Sequence, residues 1–334
     1  MTRDALDVAV AIVTYKSAAL TVACLNSLCA EIKTCGLNVH VFVVDNDSGD
    51  LPVIRAACEA HDWSGWVTLI LSPRNGGFAY GNNRALACAY ARYQSRFFFL
   101  LNPDTEVRRD ALSTMVKFLE DNPHVGIAGC GIENPDGSNW PIAFRFPSSL
   151  SELSSGVEVG VLSSVLKGWE VARTMSNAPE PVDWICGAAM MIRPAVFETI
   201  GTLDENYFLY FEETDFCFRA KRAGFETWYV PQSRVMHVVG QSTKVTERNV
   251  LPRRLPTYWF ESRRRFFIVS YGISTAILID LVSITAHLIG TIKRALLGRL
   301  RTAIPHLTRD LIENSPVWPR NRKVPSLCAF FPAK

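Results

Sequence analysis

Several short stretches of this chain gather residue types that do chemistry. The apolar run Phe97 to Leu101 ends abruptly in Asn102-Pro103-Asp104. A continuous apolar run reads as a strand covered on both faces, and the proline stops it. A carboxylate delivered to such an end can hold a divalent cation, and the same three residues also make a common turn. Val43-Val44-Asp45-Asn46-Asp47-Ser48 repeats the geometry. Asp45 can accept a hydrogen bond from the imide N–H of a pyrimidine base, or it can cap the next helix. Thr14-Tyr15 closes another β-branched run, where a hydroxyl and a ring suit a base and ribose pocket or simply end a strand.

Asn75-Gly76-Gly77-Phe78-Ala79-Tyr80-Gly81-Asn82-Asn83, preceded by Arg74, has the composition of a ligand loop. Glycines allow close backbone approach, the asparagines offer amides and the arginine a charge. The loop is not the Gly-x-Gly-x-x-Gly dinucleotide fingerprint, and no Gly-x-x-x-x-Gly-Lys phosphate loop occurs in the chain. Those absences argue against a dehydrogenase and a P-loop kinase. Further on, an aromatic stretch leads into Glu212-Glu213-Thr214-Asp215, with Arg219 one turn beyond. Acids at a helix start are favoured by the dipole. On a helix Glu212, Asp215 and Arg219 share a face while Glu213 points away. An acid set against aromatic walls also suits a general base acting on a hydroxyl. His237, in Val235-Met236-His237-Val238, is either a core imidazole or a metal ligand.

The elements that must position these residues alternate. Strands are expected at Val8 to Val13, Val39 to Val44, Val67 to Leu71, Phe97 to Leu101 and Val125 to Ala128. Helices are expected over Ala18 to Ile32, from a cap at Asn82 or Asn83 to Tyr93, and over Asp110 to Asp121. That alternation implies a mostly parallel sheet with helices on both faces. Residues Ile132 to Ser155 read as loop or short hairpins, and Ser154 to Ser176 carry little pattern. Regular structure resumes over Val182 to Arg193, followed by helices from Pro194 to Ile200 and from Glu212 to about Gly224.

With 334 residues, 48% of them hydrophobic, the chain has material for a full α/β domain plus an appendage. A formal charge of +3 gives no argument for nucleic acid. Nine cysteines without a Cys-x-x-Cys pair, in apolar contexts, fit reduced buried thiols in a cytosolic compartment. Met1 to Asp7 is polar and leads straight into a strand, so no export signal is read there.

These pieces, in this order from Val8 to about Ser242, resemble the family-2 glycosyltransferases of the GT-A fold, and most closely the rhamnosyltransferase-like branch. The resemblance rests on Val13-Thr14-Tyr15, Val44-Asp45-Asn46-Asp47-Ser48, the Asn75 to Asn83 loop, Leu101-Asn102-Pro103-Asp104, Gly187-Ala188 with Arg193, and Glu212 to Arg219. It implies that Thr14, Tyr15, Asp45, Asn46, Arg74, Asn75, Gly76, Asn82, Asn102 and Asp104 form the donor site. It implies further that Asp104, with His237 as in some members, binds Mg2+ or Mn2+. Glu213 would be the catalytic base, with Gly187, Ala188 and Glu212 near the acceptor. Two departures stand out: one carboxylate where an Asp-x-Asp pair is usual, and glutamate where aspartate is common at Glu213.

The implied activity is inverting transfer of a sugar from a nucleoside diphosphate, best L-rhamnose from a dTDP donor with UDP-sugars as the other option. The acceptor would be a hydroxyl of a polyprenyl-linked or glycan molecule in cell-surface glycan synthesis. The alternatives are an inactive nucleotide-sugar-binding scaffold or sensor, and a sugar nucleotidyltransferase. Against the latter, Thr14-Tyr15-Lys16-Ser17 lacks the glycines of that class's phosphate loop. The chain divides into a catalytic domain over 1–250 and a basic, hydrophobic helical region over 251–334. In the latter, Phe266 to Ile292 is long enough to span a bilayer. Arg263 to Arg265 before it, and Lys293, Arg294, Arg299 and Arg301 after it, argue instead for helices in the cytoplasmic leaflet. The arginines would then meet anionic headgroups at the inner face of the plasma membrane. The other option is a soluble helical bundle packed on the catalytic domain.

Overall fold

The computed structural model describes residues 3–157, 166–237, 252–299 and 303–330. The proposed boundary at 250/251, Val238, Ser242 and Arg301 lie outside the described residues. The first part alternates as expected: β1 (Asp4–Thr14), α1 (Ala18–Cys35), β2 (Val39–Asp45), α2 (Leu51–Ala60), β3 (Val67–Leu71), α3 (Gly77–Arg92) and β4 (Tyr93–Leu101). Then come β5 (Thr105–Val107), α4 (Ala111–Asp121) and β6 (Val125–Glu133). A more irregular stretch holds β7 (Asn139–Trp140), β8 (Ala143–Phe144), α5 (Ser149–Val157), β9 (Glu180–Val182), β10 (Trp184–Ile185) and β11 (Ala189–Ile192). It is followed by α6 (Pro194–Ile200), α7 (Glu212–Arg222) and β12 (Glu226–His237). The last helices are α8 (Thr257–Tyr271), α9 (Ile273–Leu296) and α10 (Leu307–Asn314).

The main sheet runs β3-β2-β1-β4-β11-β6-β12-β5. β1, β2, β3 and β4 are parallel, and so are β6 and β12; β11 lies antiparallel between β4 and β6, and β5 antiparallel on β12. Every residue of β2 is buried, as the continuous run Val39 to Val44 requires of a strand covered on both faces. Helices cover both sides and enclose one large core. In α1, for example, Thr21, Cys24, Leu25 and Leu28 turn inward at helical spacing. All nine thiols are free; Cys24, Cys58, Cys130 and Cys217 are buried as expected, whereas Cys328 is exposed.

Two elements differ from the sequence expectation. α3 starts at Gly77 rather than at a cap on Asn82 or Asn83, which lie buried inside it. Gly77 makes the early start possible: its φ is +86°, and a Cβ there would come within 1.8 Å of the Phe208 carbonyl oxygen. α5 forms in a stretch read as loop, because its partner is far away in sequence. It crosses α9 so closely that a Cβ on Gly290 would lie 2.1 Å from the Gly156 carbonyl. α8 and α9 add a second small core of Phe266, Phe267, Ala276 and Ile279 around Tyr207.

Candidate active site

The parallel strands deliver their C-terminal ends to one edge, with Thr14 opposite Asp45 and Leu101 opposite Ile12. Ligands of open α/β sheets bind at that edge. A cavity of about 420 Å³ opens there, and Tyr15, Asn46, Asn75, Asn102 and Asp104 are among its lining. Asn46 ties the walls together, donating to Asn75 Oδ1 and the Gly77 carbonyl, each at 3.0 Å. Asn102 is held from its backbone, whose N–H donates to the Ala188 carbonyl at 2.9 Å.

Other residues expected at the donor support this wall from behind. Asp45 is fully buried, and both its oxygens accept bonds from the turn into α2: Ser48 N and Oγ at 2.8 and 2.6 Å, Asp50 N at 2.9 Å and Leu51 N at 3.2 Å. The capping role is realised, and no oxygen faces the cavity to meet a base. Thr14 is likewise buried, its hydroxyl donating to Asp50 Oδ2 at 2.5 Å and accepting from Thr21 Oγ1 at 3.0 Å. Asn82 donates to the Phe78 carbonyl one turn back at 3.0 Å, and Gly76 caps α3 with its Cα pressed against the Tyr80 ring. Arg74 is exposed, its guanidinium 4.8 Å from the centre of that ring rather than in the cavity lining.

At Asp104, which lines the cavity, the structure unites two residues 133 positions apart. His237 Nε2 lies 3.0 Å from Asp104 Oδ1, and both residues are buried. The pairing of β12 with β5 brings this about, since it sets His237 opposite Thr105. Among the described residues no cluster of three or more His, Cys, Asp or Glu side chains forms a complete metal cage. A carboxylate lining the cleft, with an imidazole directly behind it, still fits a cation whose remaining ligands come from substrate phosphates and water.

Of the acids of α7, Asp215 meets Arg219 as their spacing predicts, whereas Glu212 sits beside Glu213. Asp215 is buried and pairs with Arg219 Nε at 2.7 Å; Arg219 in turn donates to the carbonyls of Ile200 and Thr202. Asp215 therefore anchors the helix. Glu213, on the other side, lines a second cavity of about 570 Å³. Its Oε2 is cut off from solvent and has no hydrogen-bond partner. Burial pushes its carboxyl up to about 6, against the pull of the backbone N–H groups of Glu213 and Gly187. Burial, reinforced by the Glu213 charge, holds Glu212 well above the usual carboxylate range. Two carboxyls side by side are thus both held above the usual carboxylate range by burial. The turn that aims Glu213 is strained: Tyr210 and Phe211, neither a glycine, both have a φ of 68°.

The segment Cys186 to Ala188 joins the two cavities. Gly187 lies between Phe78, a wall of the first, and Glu213; a Cβ on it would stand 3.0 Å from the Phe78 ring and 3.9 Å from Glu213 Cβ. Ala188 holds Asn102. A carboxyl with raised proton affinity thus sits one short strand-end away from a carboxylate–imidazole pair.

The family model described as glycosyltransferase like family 2 matches residues 5–252. The chain belongs to that family. The N-acetylglucosaminyl-diphospho-decaprenol L-rhamnosyltransferase of Mycobacterium tuberculosis is 27% identical over 221 residues, covering 61% of this chain and 68% of the relative. The dTDP-rhamnosyl transferase RfbF of Shigella flexneri is 24% identical over 270 residues, covering 80% and 82%. Among solved structures, the mannosyltransferase PcManGT from Pyrobaculum calidifontis, in complex with GDP-Man and Mn2+, superposes with a TM-score of 0.54 at 16% identity. That match covers 94% of this chain and 81% of the neighbour. The protein is accordingly a hexosyltransferase of glycan synthesis with a GT-A fold, in the rhamnosyltransferase-like branch.

Several parts of this glycosyltransferase site gave no signal in the sequence. Phe208, Leu209 and Tyr258 help line the first cavity, and Glu152, Trp259, Ser283 and His287 the second. Apart from the aromatic run before Glu212 and the apolar run Phe266 to Ile292, which holds Ser283 and His287, these lie in segments without a recognisable pattern, and α5, α8 and α9 meet only in the folded chain. The arginines read as headgroup ligands are the clearest correction. Arg263 is buried and pairs with Asp280 and, at 2.8 Å, with Glu152, while Arg265 is buried against Asp204. Arg254 makes a two-pronged bond to Asp310 at 2.8 and 2.6 Å. Buried guanidinium groups need acidic partners, and the fold supplies them from distant positions. Arg263 and Arg265 thus serve to dock the C-terminal helices rather than to meet a bilayer, while the exposed Arg254 ties α10 to the chain before α8.

Proposed function

We propose that the protein transfers L-rhamnose from a dTDP donor to a hydroxyl of a polyprenyl-linked acceptor, with inversion, at the cytoplasmic face of the plasma membrane. The observation that carries this reading is the pairing of Asp104–His237 with Glu213 across Cys186 to Ala188. The acceptor hydroxyl gives its proton to the Glu213 carboxylate as its oxygen bonds to the anomeric carbon, and the bond from that carbon to the diphosphate breaks on the opposite face. Asp104 and His237 would hold Mg2+ or Mn2+, which would stabilise the charge on the departing diphosphate. Asn46, Asn75 and Asn102 offer amide groups to the donor, and Tyr15 a ring. The named relatives favour rhamnose, as one is called a dTDP-rhamnosyl transferase and another acts on a diphospho-decaprenol sugar. The test is a thermal-shift panel of dTDP, UDP and GDP with their sugars, with and without Mn2+. Preferential stabilisation by a dTDP-sugar is expected, and preference for GDP overturns the donor assignment.

The region beyond residue 250 fits a helical unit that seats this domain on the membrane. α9 has 24 residues and is long and apolar enough to cross a bilayer by composition. Its Ala276, Ile279, Asp280, Ser283, Ala286 and Gly290 face the protein, whereas Leu278, Leu281, Leu288, Ile289, Ile292 and Leu296 are exposed. A helix with one packed face and one apolar outer face, followed by basic residues, suits lying in the interface of an anionic leaflet. Co-flotation with anionic vesicles, abolished by Leu281→Ser with Leu288→Ser, is the expected result; flotation unaffected by the pair removes this seat.

A further inference from the structure

The Glu213 cavity has a chemical character that the reaction alone does not dictate. Its walls carry two tryptophans, Trp184 and Trp259, and the hydroxyls of Ser151, Ser154, Ser155 and Ser283. Trp184 gives its indole N–H to the Arg145 carbonyl at 2.9 Å and stacks on Phe144 at 4.2 Å, so it is fixed and offers ring surface only. Carboxylates at Glu152, Glu170 and Glu213 also line it, and among the described residues no arginine or lysine does. Glu152 is held ionised although burial opposes it, because Arg263 and Ser283 bind it. Its volume of about 570 Å³ lies in the range of small-molecule sites. Trp259, Ser283 and His287 come from α8 and α9, beyond the family match that ends at residue 252.

We propose that this cavity selects the acceptor by charge: it takes an uncharged pyranose ring against Trp259 and Trp184 and rejects sugars bearing a carboxylate or phosphate. The inference rests on the transferase reading above and adds the substrate class. Aromatic rings give a sugar an apolar face to lie on and hydroxyls bind its rim, while Glu170 and Glu213, with no lining arginine or lysine among the described residues to answer them, repel an anion; Glu152 is already paired with Arg263. A diphosphate linking the acceptor sugar to lipid must then remain outside the cavity. The C-terminal helices become the specificity wall, beyond any role as a seat.

Binding is read directly, so that turnover is not needed. Saturation-transfer NMR with methyl glycosides of neutral hexoses and N-acetylhexosamines, each beside its uronic acid counterpart, tests the charge rule. At least one neutral glycoside should bind, and its uronate at least tenfold more weakly. Trp259→Ala should weaken the neutral ligand at least tenfold, Trp259→Phe should largely restore it, and the dTDP thermal shift should stay as in wild type. Ser155→Lys, at an exposed rim position, should recover uronate binding without relying on any tryptophan variant. Equal binding of neutral and uronate ligands, no binding of any neutral glycoside, or an unchanged affinity in Trp259→Ala overturns the proposal. If the glycosides behave as expected and no donor yields product, the transferase reading fails while the cavity assignment stands.

Discussion

The two cavities are built by opposite strategies. The donor cleft is made mainly of neighbouring strand ends and the loops that follow them, held by bonds among those loops: Asp45 caps the next turn, Thr14 meets Asp50, and Asn46 meets Asn75. The Glu213 cavity is assembled from pieces far apart in sequence, α5, the start of α7, α8 and α9, joined by the buried Glu152–Arg263–Asp280 cluster. The first is a preorganised edge that many chains can share. The second depends on docking, and its chemistry can vary with whatever docks.

Substitutions should separate the two. The largest effect is expected at the base: Glu213→Gln should lower kcat by about 10²- to 10⁴-fold, the usual contribution of a general base. Donor affinity, measured calorimetrically, should not change; if transfer proceeds at the wild-type rate, Glu213 is not the base. Next, Arg265→Met leaves Asp204 buried and unpaired, and breaking such a pair costs about 3–5 kcal/mol. Denaturant unfolding should register that loss, and a neutral result would mean that the C-terminal helices do not brace the domain. Asp104→Asn should remove the Mn2+-dependent part of donor affinity, a tenfold loss corresponding to about 1.4 kcal/mol, while leaving glycoside binding in the other cavity intact. Loss of both ligands together would show that the cavities are not independent.

A further effect concerns pH. Because the Glu213 carboxyl titrates at about 6 rather than 4.5, the folded state holds its proton more tightly than the unfolded chain. The stability this provides is complete below about pH 4.5 and is lost as the pH rises through 6. Above that range the buried charge costs on the order of 2 kcal/mol. Glu213→Gln should therefore raise Tm at pH 7.5 and leave it unchanged near pH 4.5. Transfer by the wild type should climb through pH 6 as the base ionises. A flat rate profile across that range contradicts the assignment.

The same contrast explains what could be read from sequence. Strands β1, β2 and β4 announce themselves through apolar runs, because their burial on both faces is a local compositional demand. Asp104 and His237 were each visible as candidates, and only the β12–β5 pairing shows that they touch. Asp45 exposes the limit of a residue-type argument: its carboxylate can serve a base or a backbone, and the tight Ser48 to Leu51 turn takes all of it. α5 stayed hidden since its Ser-rich sequence becomes a helix only against Gly290 of α9. The Arg263 to Arg265 cluster misled for a related reason. Charge runs are judged by their neighbours in sequence, yet the acids answering Arg263 and Arg265 arise 111 and 61 residues earlier.

That last separation sets a clock. At about 5–20 residues per second, a ribosome that has just made Asp204 needs roughly 3–12 s more to reach Arg265. During that interval the sheet can form, while the carboxylate that will lie at the base of the C-terminal helices still requires water. The catalytic half is therefore born before it is finished, and it closes around its second cavity only when the far end of the chain arrives.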